Sequence, residues 1–427
     1  MIGGLIKTNR IAALAGAGVI AGALSVSPAQ AADLGGDCCA DLEERVATLE
    51  ATTARKGNRK VSLTISGWVN SAVMIWDDGV DTDAYALSDN GATLGSRVTF
   101  AGDAKINHDW SAGYNITIEV QSADPFLGDF LSGSGNLGAS QANDDGSNNF
   151  SVLYSYMWIK SERYGELALG KQSQATDNIS IVDLSGTLFS GNNVLFRGNS
   201  FATTNSLWAF AVGCSGIGTD CHGEPSNVLK YTTPTFSGFT LSASWGEDDF
   251  YDVAVKYAGE FGDFKVGAAG GYSVWNGGDK LRTTGLAAPS ESELLEFGAS
   301  IMHTPTGIFV SGTYSNHKSD NANVEVLDND AWYIKAGIKQ RWNSLGATAI
   351  YGEYARYADG FDASGFGLDA ADQSAVDRYG VGVHQWIDAA AMQVYFNWTH
   401  LEVDGSNGTF VDGEELDTFT LGGVIFF

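Results

Sequence analysis

The chain lacks most of the features that define common classes of protein. Past its first 26 residues no window holds about 18 apolar residues in a row, which excludes a membrane-spanning helix there. Only 24 Lys and Arg stand against 51 Asp and Glu, a formal charge of −27, so nucleic acid is excluded as a partner by repulsion. The 6 His are scattered and no Cys pairs stand at zinc-ligand spacing, which leaves metal and other cofactors unsupported. No run of acids has calcium-loop spacing. No spacing of His108, His222, His303, His317, His384 or His400 singles out a catalytic triad, so the reading is not enzymatic. The 4 cysteines fall in two pairs. Cys214 and Cys221 flank a small polar turn, where an oxidising compartment favours a disulfide and metal binding is the alternative. Cys38 and Cys39 are adjacent, and the sequence does not choose between a local and an interchain bridge.

What is present begins with Lys7 and Arg10, an apolar run from Ile11 to Val26, and Ala29-Gln30-Ala31. This is the pattern of a secretory signal over residues 1–31 with an A-x-A cleavage site. Residues 32–60 form a separate segment. Within it, Leu42, Val46 and Leu49 recur at helical spacing, predicting a short helix over 41–54. It reads either as a periplasmic coiled coil or as a frayed linker.

From Val61 to Phe427 the period is two. Val61, Leu63, Ile65, Val69 and Val73 fall on one side of the first strand, Ser62, Thr64, Ser66 and Asn70 on the other. Sixteen such segments start near 61, 95, 110, 150, 165, 226, 239, 251, 263, 292, 308, 330, 346, 375, 391 and 413. Their joints alternate. Short turns such as His108-Asp109 and Arg163-Tyr164-Gly165 are interleaved with polar joints that are long at 77–94, 124–149, 174–225, 276–291, 318–329, 358–374 and 403–412, and short only at 247–250. Short turns at one end and long loops at the other predict an all-β fold, an antiparallel transmembrane barrel of 16 strands. The last strand, DTFTLGGVIFF, ends on an aromatic, and closure against the first strand would leave no edge. Trp68, Trp76, Trp110, Tyr164, Phe236, Phe239, Phe261, Trp342, Trp386 and Phe427 fall near strand ends, which suits the two membrane interfaces.

The joint at 174–225 carries Ile179, Ile181, Leu184, Leu188 and Phe189, side chains that need cover. It is expected to fold inward and narrow the lumen, with an external cap as the alternative. Folded inward, Asp177 and Asp183 would face a basic wall. Parity puts Arg97, Lys105, Lys230, Lys256, Lys335, Lys339 and Arg378 on the polar face, together with Glu119. Arg97 and Lys230 are the preferred wall residues. Acids opposite bases would filter solutes by size and charge. Lys171 shares parity with Leu167 and Leu169, so it points outward, where a neighbouring subunit is expected to cover it.

Several stretches resemble the alphaproteobacterial outer-membrane porins of the rhizobial type: CCADLEERVATLE, ARKGNRKVSLTISGWVN, GSRVTFAGDAKI, YGELALGKQS, SNVLKYTTPTFSGFTLSASWGEDD and the aromatic terminus. The resemblance implies a homotrimer in the outer membrane, among lipid and lipopolysaccharide, that passes small hydrophilic solutes and ions. It places the third external loop in the pore and Arg97 at the constriction. The last residues, with Thr420, Gly422, Ile425 and Phe427, look like the signal read by the barrel insertion machinery. A second basic wall position of general porins falls near Leu153, where this chain departs. A substrate-selective channel, an adhesin or receptor, and a barrel hydrolase are the alternatives.

Overall fold

The computed structural model describes residues 60–77, 79, 82–87, 95–120, 150–191, 200–202, 207–209, 225–247, 249–276, 291–320, 329–358, 374–405 and 414–427. The signal, the 41–54 helix and all four cysteines lie outside the described residues.

The strands are β1 (Thr64–Asp77), β2 (Thr82–Leu87), β3 (Arg97–Lys105), β4 (Trp110–Val120), β5 (Phe150–Ser161), β6 (Gly165–Gln172), β7 (Ser200–Ala202), β8 (Leu207–Ala209), β9 (Ser226–Thr232), β10 (Phe239–Gly246), β11 (Tyr251–Phe261), β12 (Phe264–Trp275), β13 (Glu291–His303), β14 (Ile308–Asp320), β15 (Asn329–Gln340), β16 (Thr348–Ala358), β17 (Ser374–Ile387), β18 (Met392–Gly405) and β19 (Glu414–Phe426). Each pairs antiparallel with the next around one sheet, apart from β2 and β3, which both pair with β1, and the small β7–β8 hairpin. The sheet closes where β1 meets β19, from Trp68 opposite Phe426 to Asp77 opposite Asp417. Phe427 completes the seam by exchanging two backbone hydrogen bonds with Gly67, at 2.9 and 3.1 Å.

The wall has sixteen positions, because β2 and β3 share one. β3 covers Thr64 to Trp68 of β1, and β2 covers Ala72 to Asp77. This corrects the reading of 77–94 as a loop throughout. Its six-residue strand pairs with the half of a 14-residue β1 that β3 does not reach, which satisfies backbone groups otherwise left at an edge.

The two faces are reversed relative to a soluble protein. Ile65, Val69, Val73 and Leu421 are 46%, 52%, 49% and 57% exposed, whereas Asn70, Lys335 and Arg378 are at most 1% exposed. Alternation therefore turns apolar side chains outward and polar ones inward, all round the cylinder. Among the described residues no helix is long and apolar enough to cross a membrane.

Aromatics ring both ends of the outer face. At the short-turn end, Phe239 packs on Tyr257 at 4.6 Å and Phe264 on His303 at 4.8 Å. At the long-loop end, Trp332 meets Tyr354 at 4.8 Å and Tyr354 meets Tyr379 at 5.0 Å. Three hairpins there repeat one arrangement. Asp330 accepts from Tyr314 at 2.7 Å and Asn316 at 3.0 Å. Asp377 accepts from Tyr354 and Arg356, both at 2.5 Å. Asp417 accepts from Trp398 at 2.7 Å and pairs with His400 at 3.1 Å. In each hairpin the aromatic donor stands two residues before the donor directly opposite the acid.

Trp68, Trp76 and Trp386 correct the interface reading. They are 8%, 6% and 6% exposed and share the inward parity of Asn70 and His384. Their rings serve the lumen instead: Trp68 lies under the Arg97 guanidinium at 4.4 Å and Trp386 under the Lys339 ammonium at 4.0 Å.

Candidate functional site

The chain after β6 turns into the barrel. Residues 173–191 run along the inner wall from β9 round to β17, descending from the long-loop end toward the short-turn end. Thr176 anchors the start, donating its amide and hydroxyl to Asp252 at 2.7 and 2.8 Å. Ser180 then donates to Glu296 at 2.6 Å, and Ser300 accepts from the Leu184 amide at 3.1 Å. Two small residues make the contact close. A Cβ at Gly298 would stand 2.1 Å from the Ile179 carbonyl oxygen, and one at Gly271 would stand 2.6 Å from the Ile179 side chain. Ile179 is thereby seated against Ala254 and Ala269 of the wall, which removes its apolar surface from water.

The middle of the loop is held electrostatically. Asp183 bonds Ser185 at 2.6 Å, accepts from Ser311 at 3.1 Å and lies 3.3 Å from the Lys335 ammonium. Burial works against its charge, but Lys335 and these donors prevail and hold the carboxyl below the ordinary carboxylate range. Lys335 also donates to Thr187 at 2.9 Å and to the Gly191 carbonyl at 2.7 Å. Lys339 donates to the Ser185 carbonyl at 2.8 Å. The far end is closed by Ser190, which bonds Tyr351 at 2.7 Å and His384, and by Phe189, which packs edge-on against Trp68 at 6.0 Å.

Asp177 and Asp183 thus meet different bases. Asp183 pairs with Lys335, not with Arg97 or Lys230. Asp177 lies near Lys230 and Lys256, whose ammonium groups donate to the carbonyls of Ser173 at 2.6 Å and of Asp177 at 3.1 Å. Arg97 bonds Glu119 on the adjacent strand at 2.5 Å. Arg378 forms a buried pair with Glu353, which also accepts from Tyr333 at 2.7 Å. Lys105 is exposed at the short-turn end, and Lys171 is half-buried on the outer face between exposed Leu169 and Gln172, which points inward. The final strand supplies Thr420 and Gly422 to the inner face and Ile425 and Phe427 to the outer.

Sequence reasoning passed over Glu353, Asp252 and Glu296. Their inward parity was the available signal, since each alternates with outward apolar or aromatic side chains. It also leaves His384 and His400, near strand ends, open to pairing with an acid and a Ser. His384 meets Ser190 and Tyr351, but its Nδ1 has no hydrogen-bond partner among the described residues, so no acid orients it as a base.

A closed cylinder with an apolar outside, aromatic rims and a charged, loop-narrowed inside is a membrane-spanning channel barrel. The chain belongs to the Gram-negative porins, whose family model matches residues 13–423. It is therefore a porin of the bacterial outer membrane, a passive channel. Solved structures share the fold. The anion-selective porin from Comamonas acidovorans is 16% identical, covering 86% of this chain and 100% of that one, with a TM-score of 0.58. OmpT of Vibrio cholerae, in its trimer form, is 16% identical over 86% and 99%, at 0.54. OmpF of Salmonella typhi is 15% identical over 87% and 99%, at 0.51. No curated protein matches the sequence.

Proposed function

We propose that this porin sieves small hydrophilic solutes and ions at the level where residues 173–191 line the wall, with Arg97, Lys230, Asp177 and Asp183 at the constriction. Lys105, Glu119, Lys256, Lys335, Lys339 and Arg378 line the rest of the path. The observation that carries this reading is the loop itself, tied to the inside of the barrel at Asp252, Glu296, Lys335 and Tyr351. Such a loop occupies lumen cross-section and leaves fixed charges beside the remaining path. The working unit is a homotrimer of the alphaproteobacterial type, seated in outer-membrane lipid and lipopolysaccharide. It is exported by the signal at 1–31 and inserted through its C-terminal signal.

The test is a planar bilayer. Purified protein should give steps of stable open conductance, and silence would overturn the sieve. Under a salt gradient, Arg97→Ala should shift the reversal potential toward cations, because the wall would lose a positive charge beside Glu119. An unchanged potential would remove Arg97 from the constriction.

A further inference from the structure

Along much of the inward loop the ties to the wall are polar. Thr176, Ser180, Asp183 and Ser190 hold it by hydrogen bonds and one ion pair. Phe189, near the far end, holds it by a ring. It is 2% exposed and meets two aromatic side chains at once. Trp68 of β1 lies edge-on to it at 6.0 Å, and Phe426 of β19 lies at 5.8 Å and 72°. Trp68 and Phe426 stand opposite one another across the closing seam, with their rings 6.3 Å apart. The three rings form one cluster, each held by the other two, in edge-to-face and tilted geometries that aromatic quadrupoles favour.

Trp68 also touches the wall charge. Arg97 is its cross-strand partner on β3, and the guanidinium lies over the indole, 4.4 Å from the ring centre. Two further contacts hold Arg97: the Glu119 carboxylate at 2.5 Å, and the Gly95 carbonyl, which accepts from Nε at 3.2 Å. Glu119 belongs to β4 and Gly95 precedes β3, so neither contact passes through the loop. The indole contact does, because a cation–π interaction depends on where the ring lies, and Phe189 packs against that ring. The backbone here has no slack. A Cβ at Gly67 would stand 2.1 Å from the Arg97 carbonyl oxygen and 2.8 Å from the Phe427 ring. A displaced loop therefore acts on Arg97 through the side chains.

We infer that Trp68 is a specificity-determining positioning residue, through which Phe189 of the inward loop sets the place of the Arg97 charge in the pore. Loop position and ion preference are then one property. Phe189 is neutral and buried, so it has no field of its own on passing ions. With the indole displaced, the guanidinium extends from the wall, where it is 3% exposed, toward the water of the lumen. A fixed charge nearer the ion path acts on it more strongly.

This inference rests on the reading of Arg97 as a constriction residue, and one experiment separates the two. Reversal potentials under a salt gradient are measured in planar bilayers for Phe189→Ala, Trp68→Leu and Trp68→Phe, each alone and combined with Arg97→Ala. Phe189→Ala and Trp68→Leu should shift the potential toward anions, opposite in sign to Arg97→Ala and at least about a third as large. Trp68→Phe, which keeps a ring beneath the guanidinium, should stay nearer the wild type. In the Arg97→Ala background all three shifts should vanish, since the charge they move is gone. No shift from Phe189→Ala, or the same shift with and without Arg97, would overturn the inference and leave Arg97 at the constriction. An Arg97→Ala channel with the wild-type potential would overturn both. Phe189→Ala leaves every wall strand intact, so it decides the matter even if a Trp68 variant fails to fold.

Discussion

Lys335 sits where four acceptors converge on one ammonium or its neighbours: the Asp183 carboxylate, the Thr187 hydroxyl, the Gly191 carbonyl and the face of Tyr351 at 5.4 Å. Both members of the Asp183–Lys335 pair are almost fully buried, so the pair is held by geometry that neither can recover alone. Removing one partner strands a charge, which typically costs about 3–5 kcal/mol, whereas removing both costs far less. Lys335→Met is expected to lower the denaturation midpoint of the folded barrel markedly and to loosen the loop. The double variant Lys335→Met with Asp183→Asn should recover much of that loss. Urea titrations of the four proteins in detergent check this, and strictly additive losses would mean the pair is not coupled. The inward face of each charged residue was legible from parity, but its partner was legible only in places. Arg97 meets Glu119 because a short turn at residues 106–109 sets the register of β3 and β4, and that centre of symmetry can be read from the chain. Arg378 and Glu353 are separated by a long joint, so the register that brings them together is set by the barrel. Asp183 and Lys335 meet through the path of a loop, which no periodicity encodes.

The hairpins at the external rim carry the element-scale argument. An upward strand brings an aromatic donor and, two residues on, a second polar donor. The returning strand brings one carboxylate within reach of both, as in Tyr314 and Asn316 on Asp330, and Tyr354 and Arg356 on Asp377. The acid fixes the polar tip of the aromatic, so the ring lies where headgroups meet hydrocarbon. In the β12–β13 hairpin the same positions hold Tyr272, Val274 and Glu293, so the second donor is missing. Tyr314→Phe and Tyr354→Phe should each cost about 1 kcal/mol, one hydrogen bond to a charged acceptor discounted for partial exposure. Melting of the folded protein in detergent micelles checks this, and no shift in either variant would show that the acids do not hold the rings. Strand positions were legible because two-residue alternation runs through the wall strands, with a break in β5 where Leu153 and Tyr154 are both buried at a register shift against β4. β2 was not, because Thr82 to Leu87 lies among Asp77, Asp78, Asp81, Asp83 and Asp89, a composition that reads as loop. The half of β1 left uncovered by β3 recruits it, and that need is visible only once the cylinder is closed.

Across the whole molecule the outer surface is not uniform, and the difference bears on assembly. From β10 round to β19 the external rim carries Trp245, Tyr251, Tyr314, Trp332, Tyr354, Tyr379, Trp398 and Phe419. Across β5, β6 and β9 the corresponding outward positions hold Ser155, Lys171 and Asn227, which stand opposite one another in one row. Below them Met157, Leu169 and Leu229 are 63%, 57% and 40% exposed, so the apolar band itself continues. A charge on the lipid face costs about 2–4 kcal/mol at the midplane and less toward the rim, and an aromatic rim would have met headgroups better than a lysine does. The proposed trimer resolves this if β5, β6 and β9 face a neighbouring barrel, where Lys171 finds polar partners out of lipid. Lys171→Glu should then shift the protein from trimer toward monomer on semi-native gels at a temperature that leaves the wild type assembled. The barrel itself should stay folded, as judged by its β-sheet circular dichroism. Leu421→Glu on the seam side serves as the comparison, since an acid there should impair folding directly. A Lys171→Glu protein that keeps its trimer at the wild-type temperature would place this row against lipid and move the subunit contact to another part of the wall.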